Sequence, residues 1–520
     1  MTPLKTIVWM MRKALDTNVG DIGHSLRCRS AASAYLNRTF GSPTSSSVFT
    51  LSLWIKRGGL TGTFRLFGAS TSTYLTFNSS DQLNLTLNGA SACTSTAVFR
   101  DPTAHYHIVY QQNGSAQTLY VNNTSVATGT TAAAIFNTAI AHQLGAANTS
   151  NYLDGYLSRV CFVDGTALTP SSFGYLNTNL NEWVSLSQSA VKAVVDAGGT
   201  NSFMLDFDDN TSLTTLGNDF STHNNDWTLN NISLTAGVTY DWMLDVPGNS
   251  YATLNPLRPS QLSGGSATIS NANLTAADAG TSIGVAAQGT VAISSGKWYW
   301  EVNATTIGGS YGSCGIRLES LQGTDGAGYF YHSDGRKSLS VYTAGAAAYG
   351  ATYTSGDVIG VELDLDAGTL TFYKNGATQG TAYTSLTGSY SACVGDGQNS
   401  TQYVWNINFG QRPFAYTPST GFLALNQANL SAAGLVTVSG SFTGNASADG
   451  PFVWINGVPD TLTINSNAVT FGTHADKLAN GFKLRTSSAS YNTAGSNTWT
   501  ATITSDTKNI FKYNTAAVNP

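Results

Sequence analysis

Apolar and polar residues alternate with a period of two along most of this chain, as they do in strands with one buried face. In three segments a short strand-like run leads into Asn-Gly, the dipeptide that most strongly favours a tight hairpin turn. These segments are His107–Gly114, Leu370–Gly376 and Phe452–Gly457. Their recurrence predicts an all-β protein made of tandem antiparallel β-sandwiches.

The clearest helical spacing lies at the N-terminus, where apolar residues recur over residues 3–16 and predict one short amphipathic helix. Such a helix either packs on its own domain or serves as an anchor or oligomerisation segment. Its apolar run, Ile7 to Met11, is shorter than the roughly seven residues of a secretory core, so we expect no signal peptide. Nothing later approaches the roughly 18 apolar residues of a membrane span, so we expect no membrane insertion.

The length of 520 residues predicts several domains, because single cores rarely grow beyond roughly 250 residues. Three prolines between Pro247 and Pro259 indicate a first linker, and a change of composition near Pro418 indicates a second break. We therefore predict an N-terminal anchor segment over residues 1–25, a concanavalin-like jelly roll over 26–250, a second sandwich over 251–425 and a small C-terminal β domain over 426–520.

Charged residues are only 10% of the chain and the net charge is -5. Without a cluster of Lys and Arg to neutralise phosphates, nucleic acid is not an expected partner. The five cysteines are widely spaced and form no Cys-x-x-Cys pair, which favours buried, reduced thiols in a protein assembled in a cytosol.

Three segments in the second predicted sandwich carry a family resemblance. They are Gly296–Val302, Gly356–Leu365 and Asn408–Phe414. In this order and spacing they resemble the SPRY family, and the resemblance covers roughly residues 255 to 425. It implies a concanavalin-like bent sandwich used for protein or ligand recognition.

The first predicted sandwich, over residues 45 to 180, resembles a laminin-G or concanavalin A-like jelly roll. Phe49–Arg57, the two strands of the first hairpin and Tyr152–Val160 carry this resemblance. Such domains often continue the last segment with acidic residues, whereas Ser158 and Arg159 stand here. That departure weakens any calcium site inferred from the family.

The order of the two domains and a small β tail resembles structural proteins of tailed bacteriophages, as do the segments Ser33–Phe40 and Leu478–Arg485. The resemblance implies a virion protein, assembled in the host cytoplasm, with other virion proteins as partners. We expect a tail fibre or tail-associated receptor-binding component that recognises a host cell-surface glycan or protein and forms a homo-oligomer such as a trimer. The alternatives are a capsid decoration or head-fibre protein and a glycan-degrading enzyme.

Candidate catalytic groups are few, and we assign no catalytic residue. Glu362, Asp364 and Asp366 would share one face of a strand, and we interpret that face as solvated rather than catalytic. No Gly-x-Ser-x-Gly elbow precedes a helix, and the histidines are scattered. The sequence leaves open a catalytic triad whose members come together only in the folded chain.

Two oxygen-rich turns are candidate calcium sites, since calcium takes six to eight oxygen ligands. Their residues are Asp206, Asp208, Asp209 and Asn210 in one turn, and Asp219, His223, Asn224, Asn225 and Asp226 in the other. Asp and Asn are also ordinary turn residues that bond their own backbone. We favour the turn interpretation and assign no metal ligand and no cofactor.

The candidate ligand-binding residues are Tyr329, Tyr331, His332 and Asp334. They place aromatic rings beside polar groups in an expected loop, a mixture that stacks on sugars or anchors protein partners. The alternative is that alternate rings belong to the core and the others to its rim.

Overall fold

The structure is a computed structural model that describes a large part of the chain. The described residues are 22–130, 136–177, 182–259, 267–278, 286–318, 327–341, 346–397, 402–430, 436–449, 451–454, 459–471, 473–478 and 481–503. The helix predicted over residues 3–16 lies outside them.

The first sandwich contains strands β1 to β17. In chain order they are Ser25–Cys28, Tyr35–Thr39, Val48–Arg57, Phe64–Ser70, Thr73–Phe77, Gln82–Leu87, Ala90–Val98, His105–Asn113, Ala116–Val121, Thr124–Thr130, Ala141–Leu144, Gly155–Asp164, Gly174–Asn177, Glu182–Ser185, Phe203–Leu205, Thr228–Asn230 and Trp242–Met243. One sheet has the order β10-β9-β8-β3-β12-β1-β17 with β15 beside β12, and the facing sheet has the order β16-β2-β11-β4-β5-β6-β7. β13 and β14 form a separate pair.

Aromatic rings fill the space between these two sheets. Phe162 stacks on Phe49 with ring centroids 5.2 Å apart and on Phe203 at 5.9 Å. The opposite face of β12 is covered by helix α1, Gln188–Asp196, through Val191 and Val195. β12 is therefore buried on both faces, which is why its sequence is more continuously apolar than simple alternation predicts. A second short helix, α2, spans Leu213–Leu216.

The second sandwich contains strands β18 to β32. They are Leu254–Pro259, Thr268–Ser270, Thr275–Asp278, Ala286–Ile293, Lys297–Ile307, Gly312–Leu318, Ala327–His332, Arg336–Ser340, Ala347–Ala348, Val358–Asp364, Thr369–Lys374, Ala377–Tyr383, Tyr390–Asp396, Tyr403–Asn408 and Leu423–Ala424. One sheet has the order β18-β21-β30-β23-β24-β25-β26, and the other has the order β19-β20-β31-β22-β27-β28-β29 with β32 beside β22.

The two sandwiches belong to one compact unit that extends to Asn426, and they touch directly. The Tyr156 hydroxyl donates to the Ala272 carbonyl at 2.9 Å, and the Ala272 amide donates to Asp154 at 3.0 Å. At Gly58 a Cβ atom would lie 2.6 Å from the Ala272 Cα, so this contact requires glycine.

A second compact unit begins at Gln427, where helix α3 spans Gln427–Leu430. Strands β33 to β39 are Val436–Gly444, Phe452–Trp454, Pro459–Ile464, Asn467–Ala468, Ala475–Leu478, Gly481–Leu484 and Gly495–Ile503. They form sheets of order β33-β39-β35-β36 and β34-β38-β37. The core of this unit includes Leu462, Ile464, Phe482, Leu484 and Trp499.

The predicted all-β architecture of tandem antiparallel sandwiches is confirmed, while the boundaries at 25, 250 and 425 stay predictions. All five cysteines are buried and unbridged, as expected. Burial raises the pKa of Cys93 to about 11 and that of Cys314 to about 12. Within the described residues, no helix has the length and apolar character needed to cross a membrane.

Candidate functional site

The predicted ligand-binding residues do not lie together in a loop. Tyr329, Tyr331 and His332 belong to β24, and only Asp334 lies in the turn that follows. The prediction of a loop was therefore wrong for these three residues, because β24 pairs with β23 on one side and with β25 on the other. Tyr331 and His332 are also 0% exposed, and the Tyr331 ring packs against Phe372 of the facing sheet.

Each of these four residues has an internal partner. Tyr331 packs edge-on against Tyr353 with ring centroids 5.1 Å apart, and its hydroxyl donates to the Ala351 carbonyl. The His332 ring bonds the Ser338 hydroxyl at 2.8 Å, and burial lowers the pKa of His332 to about 4.

The remaining two residues keep part of their surface in contact with solvent. Asp334 accepts from the Arg336 side chain at 2.6 Å. Tyr329 is half-buried and lies edge-on to Tyr383 at 5.0 Å. A binding role for these residues stays a prediction.

The acidic face of β27 is covered rather than solvated. A segment that we call the strap, residues 413–422, lies over it, and the Ser419 amide donates to Glu362 at 2.8 Å. Glu362 also accepts from the Tyr373 hydroxyl at 2.8 Å, and Asp364 pairs with Lys297 at 2.6 Å. The expectation of a solvated face was wrong for Glu362 and Asp364, which are 5% and 7% exposed.

Glu301, on the neighbouring strand β22, holds the same strap. It accepts from the Ala415 amide at 2.9 Å and from the Tyr416 amide at 2.8 Å. Burial raises the pKa of Glu301, and these two amides act in the opposite direction. The carboxylates of this face therefore hold backbone in place.

One serine and one histidine do come together in the first sandwich, as sequence alone could not show. The Ser52 hydroxyl lies 2.8 Å from His107 Nε2, and the Trp183 indole donates to His107 Nδ1 at 2.9 Å. Because indole is a donor only, Nδ1 is unprotonated and Nε2 donates to the serine. The histidine thus cannot accept the serine proton, and burial lowers the pKa of His107 to about 3.

The first candidate calcium turn is satisfied by protein donors. Both oxygens of Asp206 accept from Arg159, at 2.8 and 2.9 Å, and Asp208 accepts from Gln188 at 2.7 Å. Asp209 accepts from the amide and the hydroxyl of Thr211, at 2.9 and 2.6 Å.

The second candidate turn is built in the same way. Asp219 accepts backbone amides of Met204 and Asn225, both at 2.8 Å, and Asp226 accepts the amide of Asp219 at 2.8 Å. Across the part of the chain that the structure describes, no three His, Cys, Asp or Glu side chains come together as a metal site requires. These contacts fit the turn interpretation.

A fully buried charge pair joins β3 of the first sandwich to the segment between β17 and β18. Lys56 donates to Asp245 at 2.7 Å, to the Ser250 hydroxyl at 3.0 Å and to the Tyr251 carbonyl at 2.8 Å. His105 also lies 3.1 Å from Asp245. Burial alone would raise the pKa of Asp245, but Lys56 and His105 hold it below its ordinary value.

A cavity opens at one end of the second sandwich, and we call it the end pocket. It lies between β20 and β31 of one sheet and β21 and β30 of the other, has a volume of about 10 Å³, which is room for about one water molecule, and is lined by small residues along much of its wall. Its lining residues are Ala267, Ala276, Ala277, Asp278, Ala287, Val394, Gly395, Asp396, Tyr403 and Trp405. Sequence reasoning missed it, because an aspartate after two alanines gives no signal of a site.

Comparison with known proteins assigns both sandwiches. Residues 30–172 match the concanavalin A-like lectin/glucanases superfamily, and residues 297–411 match the SPRY domain. The chain carries a concanavalin A-like domain followed by a SPRY domain. The end pocket and the strap belong to the SPRY domain, and the Ser52–His107 pair belongs to the concanavalin A-like domain.

Curated relatives share a limited part of the chain. Ran-binding protein 10 of Danio rerio is 32% identical over 127 residues, which are 23% of this chain and 20% of that protein. The E3 ubiquitin-protein ligase RKP of Arabidopsis thaliana is 32% identical over 143 residues, 26% of this chain and 11% of the ligase. The chain thus spans about a fifth or less of the length of these relatives.

Solved structures of SPRY domains match a share of this chain similar to the share that the curated relatives match. The SPRY domain of human HERC1 is 16% identical and covers 26% of this chain and 87% of its own, with a TM-score of 0.23. The TRIM65 PSpry domain is 18% identical and covers 30% of this chain and 92% of its own, with a TM-score of 0.24.

Proposed function

We propose that this chain is a non-enzymatic binding protein on the virion surface of a tailed bacteriophage. In this role it acts as a tail fibre or tail-associated receptor-binding component that recognises a host cell-surface glycan or protein. The observation that carries the non-enzymatic part is that Glu362, Asp364 and the Ser52–His107 pair are all buried and engaged in contacts within the protein.

The contact between the two sandwiches supports a display role. Tyr156 and Asp154 of the concanavalin A-like domain bond the backbone of Ala272 in the SPRY domain, and the two domains belong to one compact unit. In the display role that we propose, they are presented together as one piece. On a particle with many copies, weak sites on such pieces would gain strength by acting together.

The expected partners are other virion proteins and copies of the same chain, as in a trimer. Five buried thiols without a disulfide fit assembly in a host cytoplasm, where thiols stay reduced. The phage assignment itself rests on the resemblance of domain order and of short segments to phage structural proteins.

A second candidate is a capsid decoration or head-fibre protein, since a chain with few charged residues and two sandwiches in one compact unit suits either position. A third candidate is a protein-recognition component inside a cell. Its support is the partial sequence identity with Ran-binding proteins 10 and 9, which are named for binding Ran. We place a glycan-degrading enzyme last.

Immunogold electron microscopy separates these candidates. An antibody against the recombinant chain is applied to particles purified from lysates of cells that express it, and to the particle-free supernatant. We expect gold at the tail. Gold spread over the head would favour decoration, and gold absent from particles would refute the virion proposal and favour the intracellular candidate or the enzyme.

A further inference from the structure

Strand β33 forms a long outer edge of the second unit. It runs over nine residues, Val436–Gly444, and pairs with β39 along its whole length without a change of register. Within the described residues, β39 is the only strand that pairs with it. In an antiparallel pair, alternate residues of each strand direct their N–H and C=O groups away from the partner. One side of β33 therefore presents a row of backbone donors and acceptors that another strand can pair with.

The other outer strands of the described sheets differ from β33 in ways that hinder pairing with a further strand. Most have four residues or fewer, namely β13, β14, β16, β17, β19, β26, β34, β36 and β37. The longer ones, β7, β10, β18 and β29, each change register against their neighbour, and β18 also contains two prolines. Among these described edges, β33 alone is long, regular in register and without a charged residue or proline.

The sequence of β33, VTVSGSFTG, is matched to a second copy of itself around the central Gly440. Antiparallel pairing about a two-fold axis at Gly440 would set hydroxyl residues opposite hydroxyl residues and apolar residues opposite apolar ones. The three pairs next to the axis would be Ser439 with Ser441, Val438 with Phe442, and Thr437 with Thr443. Pairs of these kinds stabilise antiparallel sheets, and a glycine inside a strand often marks the close approach of another backbone.

The C-terminal half of β33 has one face on the core and one face in solvent. Phe442 packs on the core of the second unit, with its ring centroid 6.4 Å from that of Phe482. Ser441 and Thr443 alternate with it and are exposed. A strand added beside β33 in the matched register would continue both faces, and no charged residue on either strand would oppose the contact.

We propose that β33 pairs with β33 of a second copy of this chain, antiparallel about a two-fold axis at Gly440. The two four-stranded sheets then form one sheet of eight strands, of order β36-β35-β39-β33-β33-β39-β35-β36. Because both copies use the same edge, the contact closes at two chains. The opposite edge of the sheet, β36, has only two residues and is too short to add a third copy in the same way. This contact goes beyond the proposed function, since it lies wholly in the second unit.

Charge exchange beside the axis tests the proposal on the purified full chain. One variant combines Ser439→Lys with Ser441→Lys, and the other combines Ser439→Glu with Ser441→Glu. Each variant alone would set like charges opposite each other, whereas a mixture of the two would set opposite charges together. Sedimentation velocity over a range of concentrations measures association. We expect a dimer of the unmodified chain, association at least about tenfold weaker for each variant alone, and recovery of the dimer in the mixture.

Thr461→Lys combined with Thr463→Lys is the matched control, because it places the same charges at the same spacing on β35, away from the open edge of the sheet. It should associate like the unmodified chain. Hydrogen exchange is the second measurement and needs no variant, so it decides even where a charged variant does not fold. In the unmodified chain, the β33 amides should exchange more slowly once the concentration is high enough for the dimer to form.

A chain that stays monomeric at every concentration would overturn the proposal, as would charged variants that associate as tightly as the unmodified chain. A mixture that does not recover the dimer would refute the two-fold register. Protection of all β33 amides already in the monomer would also overturn the proposal, because another segment of the same chain would then cover the edge. A trimer that both charged variants retain would refute it in favour of a different surface. None of these outcomes depends on where gold labels a particle, so the two proposals fail separately.

Discussion

Removing the carboxylate of Asp245 should be strongly destabilising. In Asp245→Ala, the Lys56 ammonium keeps only the Ser250 hydroxyl and the Tyr251 carbonyl as partners, at 3.0 and 2.8 Å. Both Lys56 and Asp245 are 0% exposed, so no solvent replaces the lost charge. Leaving one member of a buried pair alone typically costs about 3–5 kcal/mol, and we expect a loss of that size.

The assay is equilibrium unfolding in urea, followed by tryptophan fluorescence and circular dichroism. Asp449→Ala is the control, because its pair with Lys483 is exposed and such pairs contribute at most about 1 kcal/mol. The double variant Lys56→Met with Asp245→Leu should recover much of the loss, since apolar residues often replace a buried pair without penalty. A loss below about 1 kcal/mol in Asp245→Ala, or a double variant no more stable than the single one, would refute this reasoning.

Three further predictions concern acidity, the strap and the thiols. Burial lowers the pKa of His107 to about 3 and those of His142 and His332 to about 4, so the unfolded chain binds protons first as the pH falls below about 6.5. Stability is then full above that value and is lost as the pH falls towards 4, by about 1.4 kcal/mol per pH unit for each histidine; a urea midpoint unchanged between pH 7 and pH 5 would contradict this. Glu362→Ala removes the acceptor of the Ser419 amide and should lower the free energy of unfolding by about 1–3 kcal/mol. It should also make residues 413–422 a new site of limited proteolysis. An unchanged digestion pattern would show that Glu362 does not hold the strap. All five cysteines are buried, so a thiol reagent should label none in the native protein and five in denaturant, and fast labelling of any thiol under native conditions would contradict the placement.

The hairpins are features that local sequence predicts well. Asn375 and Gly376 adopt φ values of 49° and 80°, and they join β28 to β29 in the predicted tight turn. An Asn-Gly turn depends on residues adjacent in the chain, so it can be predicted without knowing what packs around it. The SPRY motifs can be recognised in the same way, because each consists of residues adjacent in the chain.

The candidate site was less predictable. Alternation in Tyr329–His332 correctly indicates that neighbouring side chains face opposite ways. Whether either face meets solvent depends on the strands beside β24 and on the facing sheet. Tyr331 meets Phe372 of the facing sheet, with ring centroids 5.4 Å apart, although the two residues are far apart in the chain. The polar His332 beside the ring of Tyr331 therefore suggested a surface, whereas both residues are buried in the structure.

Composition, alternation and turn residues were sufficient for the all-β class and the tandem sandwiches, since these depend on periodicity. The SPRY and concanavalin A-like domains were indicated by a family resemblance that short contiguous segments carry. Tertiary structure alone decided that the strap covers Glu362, that Trp183 sets the protonation of His107, and that Asp278 and Trp405 share an end pocket. Each of these outcomes joins residues distant in sequence, and whether a polar group is solvated, paired or orphaned depends on the atoms packed against it.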